Sequence, residues 1–233
     1  TLGINGLHKA TVQKVNMDNN QRSNIGYLGR ASYSYDDRYF FTGSYRRDGA
    51  SVFGVNQKWG DFFAFGGAWR LSSEKFMSSI SYLEDLKLKV SWGKNGNQGL
   101  DPYGTLSTIN NGASGGVRYE FGGSDIIYGL NQKALGNANL GWETTESWNT
   151  GFESAWLGSR LFVDLDLYFS KTTDQIFTRD IPVMTGFKNM KSSMGQVNNR
   201  GVELTIRSVN TNTQDWYWTT NLTFWLNRNK LVH

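Results

Sequence analysis

The stretch Leu161-Phe-Val-Asp-Leu-Asp-Leu-Tyr-Phe-Ser170 decides the fold class of this chain. Leu161, Val163, Leu165, Leu167 and Phe169 point one way, and Phe162, Asp164, Asp166, Tyr168 and Ser170 point the other. A helix would scatter the two aspartates among the leucines; only a period of two separates them, so the segment reads as a strand with one apolar face. The same alternation recurs along the chain. Ile25, Tyr27, Ala31, Tyr33 and Tyr35 oppose Gly26, Arg30, Ser32 and Ser34, and after the polar turn Asp36–Arg38, Tyr39, Phe41 and Tyr45 oppose Thr42, Ser44 and Arg46. Similar strands are predicted over residues 63–71, 86–93, 148–156, 202–207 and 216–226, where Glu153, Glu203 and Arg207 take the polar side. These spacings predict an all-β, antiparallel chain.

Composition agrees. The chain has 233 residues with 9 Trp, 11 Tyr, 14 Phe and 27 Gly but only 2 Pro. Aromatics suit strands and proline interrupts their ladders. Mean hydropathy is −0.50, yet the aromatics are far too many for a disordered chain; strands that average an apolar face with a polar one reconcile the two. No run of about 18 apolar residues is present, so a transmembrane helix is excluded, while a spanning strand needs only about 9–11 residues. An antiparallel transmembrane β-barrel segment is therefore expected. Its lipid-facing residues would include Leu161, Val163, Leu165, Leu167 and Phe169, and its lumen-facing ones Asp164, Asp166, Glu153, Glu203 and Arg207. Tyr33, Tyr35, Trp156, Trp216 and Trp218, near strand ends, suit an interfacial aromatic girdle. A soluble β-sandwich presents the same alternation and is the competing reading.

The connections favour the barrel. Asp36–Arg38 and Gly158–Arg160 are short, whereas 47–58, 95–146 and 172–200 are long, polar and glycine-rich. Outer-membrane barrels place short turns in the periplasm and long loops outside. This alternation sets a direction for every strand. It puts 72–85 on the periplasmic side, with a short helix expected there, and requires zero or two spanning strands within 95–146.

Chemistry is sparse. There is no cysteine, hence no disulfide and no thiolate ligand. The two histidines, His8 and His233, sit at opposite ends, so neither a histidine metal site nor a catalytic triad is expected. The net charge of +4 is scattered rather than striped, which argues against nucleic acid as a partner. Asp164 and Asp166 lie about 7 Å apart along one strand face, a spacing a glycosidase pair can use, but a hydrated lumen uses carboxylates too. Catalytic, cofactor and metal sites are therefore all expected to be absent. Gly93-Lys-Asn-Gly-Asn-Gln-Gly99 lacks the ending of a phosphate loop and reads as a tight outer loop. Asn95, Asn97 and Gln98 from that segment, with Arg118, Tyr119, Asp125, Tyr128 and Asn131, combine amides, charges and aromatics. They are the ligand-loop candidates for sugars or peptides; a plain solvated loop has the same composition.

Several segments together resemble the SusC/RagA family of TonB-dependent outer-membrane transporters. They are Tyr33-Ser-Tyr-Asp-Asp-Arg-Tyr-Phe, Tyr45-Arg-Arg-Asp-Gly-Ala-Ser-Val-Phe-Gly and Trp59-Gly-Asp-Phe-Phe-Ala-Phe-Gly-Gly-Ala-Trp-Arg-Leu-Ser-Ser-Glu-Lys-Phe. Leu86-Lys-Leu-Lys-Val-Ser-Trp-Gly-Lys-Asn-Gly-Asn-Gln, Asn139-Leu-Gly-Trp-Glu-Thr-Thr, Lys171-Thr-Thr-Asp and Val197-Asn-Asn-Arg-Gly-Val-Glu-Leu follow in the family's order. The resemblance covers nearly the whole chain, least over 1–20 and 105–135. It implies a 22-stranded barrel with a plug and a TonB box, lidded by a SusD-like surface lipoprotein and importing oligosaccharides or peptides. Residues 1–233 would be the C-terminal part of that barrel, with the plug that engages TonB absent. Thr1 follows neither a start methionine nor a signal peptide, so a processed or internal fragment is expected. A passive porin, a surface adhesin, a secreted glycan-binding β-domain and a glycosidase are the alternatives.

Overall fold

The computed structural model describes residues 19–111, 118–120, 126–187 and 189–232. Its main body is one antiparallel sheet of eight strands. These are β1 (Asn24–Tyr35), β2 (Tyr39–Ala50), β3 (Trp59–Arg70) and β4 (Leu83–Asn97). Four short strands follow, β5 (Thr108–Asn111), β6 (Arg118–Glu120), β7 (Ile126–Tyr128) and β8 (Leu130–Ala134). The sheet resumes with β9 (Glu143–Trp156) and β10 (Leu161–Thr173), then leaves it for β11 (Ile176–Asp180) and β12 (Asn189–Ser193). It ends with β13 (Val197–Asn212) and β14 (Tyr217–Leu231). The order is β1-β2-β3-β4-β9-β10-β13-β14, so β4 pairs directly with β9. Among the described residues, those between β4 and β9 thus add no further strand to the wall; β5–β8 and β6–β7 form two separate ladders.

Local chemistry explains the joints. Asp36 and Asp37 both have positive φ, 53° and 50°, and Arg38 N–H donates to Tyr35 O at 3.0 Å. Three residues, Asp36–Arg38, thus join the paired Tyr35 and Tyr39, with aspartates tolerating the left-handed region. Residues 157–160 and 213–216 turn at the same end of the sheet. The longer 71–82 connection lies there too, and the short helix expected in it takes the form of two 3-10 helices, Leu71–Ser73 and Lys75–Met77. At the other end the wall strands outrun the sequence expectation. Residues 47–50, taken for loop, continue β2, and Asn95 and Asn97, taken for a tight loop, continue β4. Backbone pairing overrides the turn propensity of glycine and asparagine when a partner strand is present, here Thr145 opposite Asn95 and Glu143 opposite Asn97.

The register carries a further quantity. Tyr39, first residue of β2, aligns through Trp69, Leu88, Phe152, Leu165 and Leu204 with Phe224, seven residues into β14. With the short turns on one level, that stagger accrues over six strand-to-strand steps. At about 3.4 Å per residue and 4.8 Å between strands, the strands tilt by about 40°. Membrane barrels tilt by about 35–45°.

The two faces of the sheet differ sharply. Tyr33, Phe41, Phe65, Trp148, Phe169 and Phe224 share one face and are 44–62% exposed. A soluble sandwich would bury them against a second sheet, and no second layer covers them among the described residues. The core sits instead at the long-loop end. Ala50, Val52, Phe53, Leu100 and Leu140 cluster there, with Trp142 and Ile176 packed on them.

Candidate functional site

The polar face carries a network of charged side chains. The alternation places Lys87, Lys89, Glu153, Asp164 and Asp166 on adjoining strands β4, β9 and β10, and the register brings them into one network. Lys89 Nζ lies 3.0 Å from Glu153 Oε1, 3.1 Å from Asp164 Oδ1 and 3.3 Å from Asp166 Oδ1; Lys87 Nζ is 3.5 Å from Glu153 Oε2. Glu203 is the register partner of Asp166, so the patch is acidic overall. Asp164 and Asp166 are both tied to one ammonium. Cations and rings complete the face: Arg70 lies 5.6 Å and Lys87 5.8 Å from the Phe40 ring, and Arg207 lies 5.5 Å from Phe162. Gly201 is required there, because a Cβ would sit 2.4 Å from the Tyr168 hydroxyl and 2.5 Å from Leu226 O.

Toward the long-loop end the same face becomes a strip of small polar groups. Arg30, Thr42, Ser44, Ser91, Asn95 and Asn149 line one shallow groove. Asn95 is the ligand candidate that falls in it. Asn97 is engaged elsewhere, donating its amide to Glu143 Oε2 at 2.8 Å, and Gln98 accepts from Arg22. The remaining candidates are carried by the short ladders. Arg118 and Tyr128 are register partners on β6 and β7, with Tyr119 next along β6, and Asn131 pairs with Asn110 on β8 and β5. Asp125 lies outside the described residues. Sequence reading did not single out the serine–threonine strip or the two lysines of the ion network. The lysines were findable, since both occupy the polar side of β4; their partners required the β4–β9 register, which 45 intervening residues hide.

The long-loop core explains several recurring segments. Phe53 is 2% exposed and Leu140 is fully buried. Trp142 stands 4.7 Å from Phe53 and 5.4 Å edge-on from Phe62, and its indole donates to Lys58 O at 3.3 Å. Glu143 accepts from the Ile176 N–H at 3.1 Å as well as from Asn97, tying the β11 hairpin to β4. Gly54 packs where a Cβ would fall 1.8 Å from Ala138 O. Tyr45–Gly54 and Asn139–Thr145 are thus packing elements of one platform. The 47–58 segment, read as a polar loop, supplies three of its five buried side chains, Ala50, Val52 and Phe53.

Comparison with known proteins agrees with this geometry. The family model described as TonB dependent receptor-like, beta-barrel matches residues 3–230. The chain belongs to that family. It is 34% identical over 212 residues to the TonB-dependent receptor SusC of Bacteroides thetaiotaomicron, covering 89% of this chain and 21% of that protein. It is 33% identical over 208 residues to TonB-dependent receptor P26 of Formosa agariphila, covering 88% and 20%. The RagAB peptide importer in its open-open state superposes with a TM-score of 0.80 at 25% identity, over 91% of this chain and 22% of that one. The chain spans about a fifth of the length of these relatives. It is therefore a piece of transmembrane β-barrel of the SusC/RagA type, a family of the outer membrane, and its matched relatives are receptors rather than enzymes.

Proposed function

We propose that this chain is an arc of the wall of a longer, 22-stranded importer that takes up nutrient oligomers, oligosaccharides or peptides, across the outer membrane. In this reading the aromatic face meets lipid, so Leu161, Val163, Leu165, Leu167 and Phe169 face the acyl chains. Asp164, Asp166, Glu153, Glu203 and Arg207 line the lumen. The short turns are periplasmic and the Phe53–Leu140 platform is outside. A plug in the rest of the protein would close the lumen and engage TonB, and a SusD-like surface lipoprotein would hold ligand against the outer loops until the plug is pulled. The wall supplies passage and no chemical step.

The observation that carries the reading is the division of the eight-stranded sheet. A tilted wall with exposed aromatics on one face and a bonded, hydrated network on the other suits a solute path through lipid. The strip from Arg30 to Asn149 offers hydroxyls and amides that can donate and accept along an oligomer, whether sugar hydroxyls or peptide groups. RagAB, a peptide importer by name, makes peptides a cargo class to test beside glycans.

The test expresses the full-length protein together with a SusD-like surface lipoprotein. Labelled oligosaccharide and peptide libraries should enter cells only when both proteins and TonB are present. TonB-independent uptake would indicate a passive porin, and surface binding without uptake an adhesin. A folded protein soluble without detergent would overturn the membrane reading.

A further inference from the structure

We propose that the outer rim of β10, β13 and β14 binds the phosphate groups of an outer-leaflet glycolipid. The argument begins with where the wall puts its cations. The eight wall strands carry Arg30, Arg46, Arg70, Lys87, Lys89 and Arg207 on the polar face. The other six (Arg47, Lys94, Lys171, Arg200, Arg228 and Lys230) share the aromatic face, and all six lie at the long-loop end. No cation sits lower on that face.

Height follows from the tilt. Arg228 is eleven residues beyond Tyr217 and Lys171 ten beyond Leu161, so at about 3.4 Å per residue and a 40° tilt they stand about 26–29 Å above the short-turn end. The apolar band of such a barrel is about 25 Å tall. These cations therefore emerge at headgroup level, directly above the lipid-facing side chains.

Their surroundings differ. Arg47 has Asp61 at 3.8 Å, and Asp61 also accepts from Tyr45 at 2.6 Å. Glu146, register partner of both Lys94 and Lys171, accepts from the Trp92 indole at 2.7 Å. Arg200 and Arg228 are register partners of each other, and Lys171 and Lys230 flank Asn198 in the next row outward. Among the described residues none of these four makes an ion pair. Beneath the two arginines, Val202 and Leu226 line the same groove. Two guanidiniums side by side, two ammoniums one row out and an apolar floor match a phosphorylated sugar headgroup above acyl chains. Arginine's fork pairs two oxygens of one phosphate, and basic clusters next to a bilayer recruit anionic lipid.

This inference rests on the lipid-facing assignment above, and the experiment separates the two. The full-length protein is reconstituted in nanodiscs with a phosphorylated lipid A, its dephosphorylated form, or phosphatidylethanolamine alone, and retained glycolipid is counted by native mass spectrometry. We expect wild type to retain phosphorylated lipid A at least fivefold over the dephosphorylated form. Arg200→Gln with Arg228→Gln should abolish that preference, whereas Arg30→Gln should keep it. Arg228→Gln alone should lower it about threefold, which keeps the test open if the double variant does not fold. Equal retention of both glycolipids, or an unchanged preference in the variants, overturns the proposal; competition by millimolar inorganic phosphate would reassign the site to free anions. A fluorophore on Leu226→Cys, in a background without other cysteines, reports the face: quenching by brominated lipid upholds it, and no quenching sinks the lipid-facing reading itself.

Discussion

Leu165→Arg probes the membrane reading most directly. Leu165 is four residues beyond the inner end of β10 and lies in the row of Phe152 and Leu204. With the 40° tilt it stands about 10 Å above that end, close to the middle of an apolar band about 25 Å tall. An arginine at midplane of a barrel's lipid face costs about 2–4 kcal/mol, falling to about 0–1 kcal/mol near the interface. Leu161→Arg, at the level of the Trp156 ring, should therefore cost at most about 1 kcal/mol. On the opposite face, Asp164→Asn should be near neutral, because Lys89 keeps Glu153 and Asp166. The assay is equilibrium unfolding of the full-length protein in lipid vesicles by denaturant, followed by tryptophan fluorescence and by the gel shift of the compact barrel. The reasoning is refuted if Leu165→Arg and Leu161→Arg cost the same, or if Asp164→Asn costs as much as Leu165→Arg.

Three more outcomes test the parts. Lys89→Met should leave Glu153, Asp164 and Asp166 repelling one another, and a double-mutant cycle with Asp164→Asn should give a coupling of about 0.5–1 kcal/mol, the scale of half-exposed pairs; a coupling of zero would mean the network is only geometric. Gly54→Ala should open the outer platform while sparing the wall, since the Ala138 carbonyl it strikes is backbone and cannot yield; trypsin should then cut after Lys58 without loss of the folded barrel. Glu74 accepts from the Tyr39 hydroxyl at 2.8 Å and the Trp69 indole at 3.1 Å, with Arg38 3.7 Å away, and these hold its carboxyl below the usual carboxylate range. A lowered folded value gives stability that is present above the unfolded value and lost as pH falls through the folded one. Protection factors over 71–77, the intrinsic exchange rate at each pH divided by the observed one, should fall on acidification in wild type and stay constant in Glu74→Gln.

The wall was readable because period two is a local property: Leu161 to Ser170 announces its faces without knowledge of any neighbour. The turn at Asp36–Asp37 was readable for the same reason. Strand ends were not. Asn95 and Asn97 sit among glycines, and their local preference for a turn is overridden only by pairing with Thr145 and Glu143, 50 and 46 residues away. The segments shared with the family were legible as signatures but not as structure. Leu140, Trp142 and Phe53 looked like loop residues, and only their convergence on one small core reveals them as packing. That convergence bears on cargo as well. In the proposed importer, side chains spent on the platform are unavailable to ligand.

Two independent quantities then meet at the membrane boundary. The tilt came from register alone, without reference to charge; the positions of the cations came from sequence and face parity, without reference to tilt. Multiplied out, the tilt places the first aromatic-face cations of β10 and β14 at about 26–29 Å, just beyond an apolar band of about 25 Å. A soluble sheet would have no reason to confine the arginine and lysine of its apolar face to one end. A wall crossing lipid has one, because a charge inside the band is costly and a charge at its edge meets headgroups.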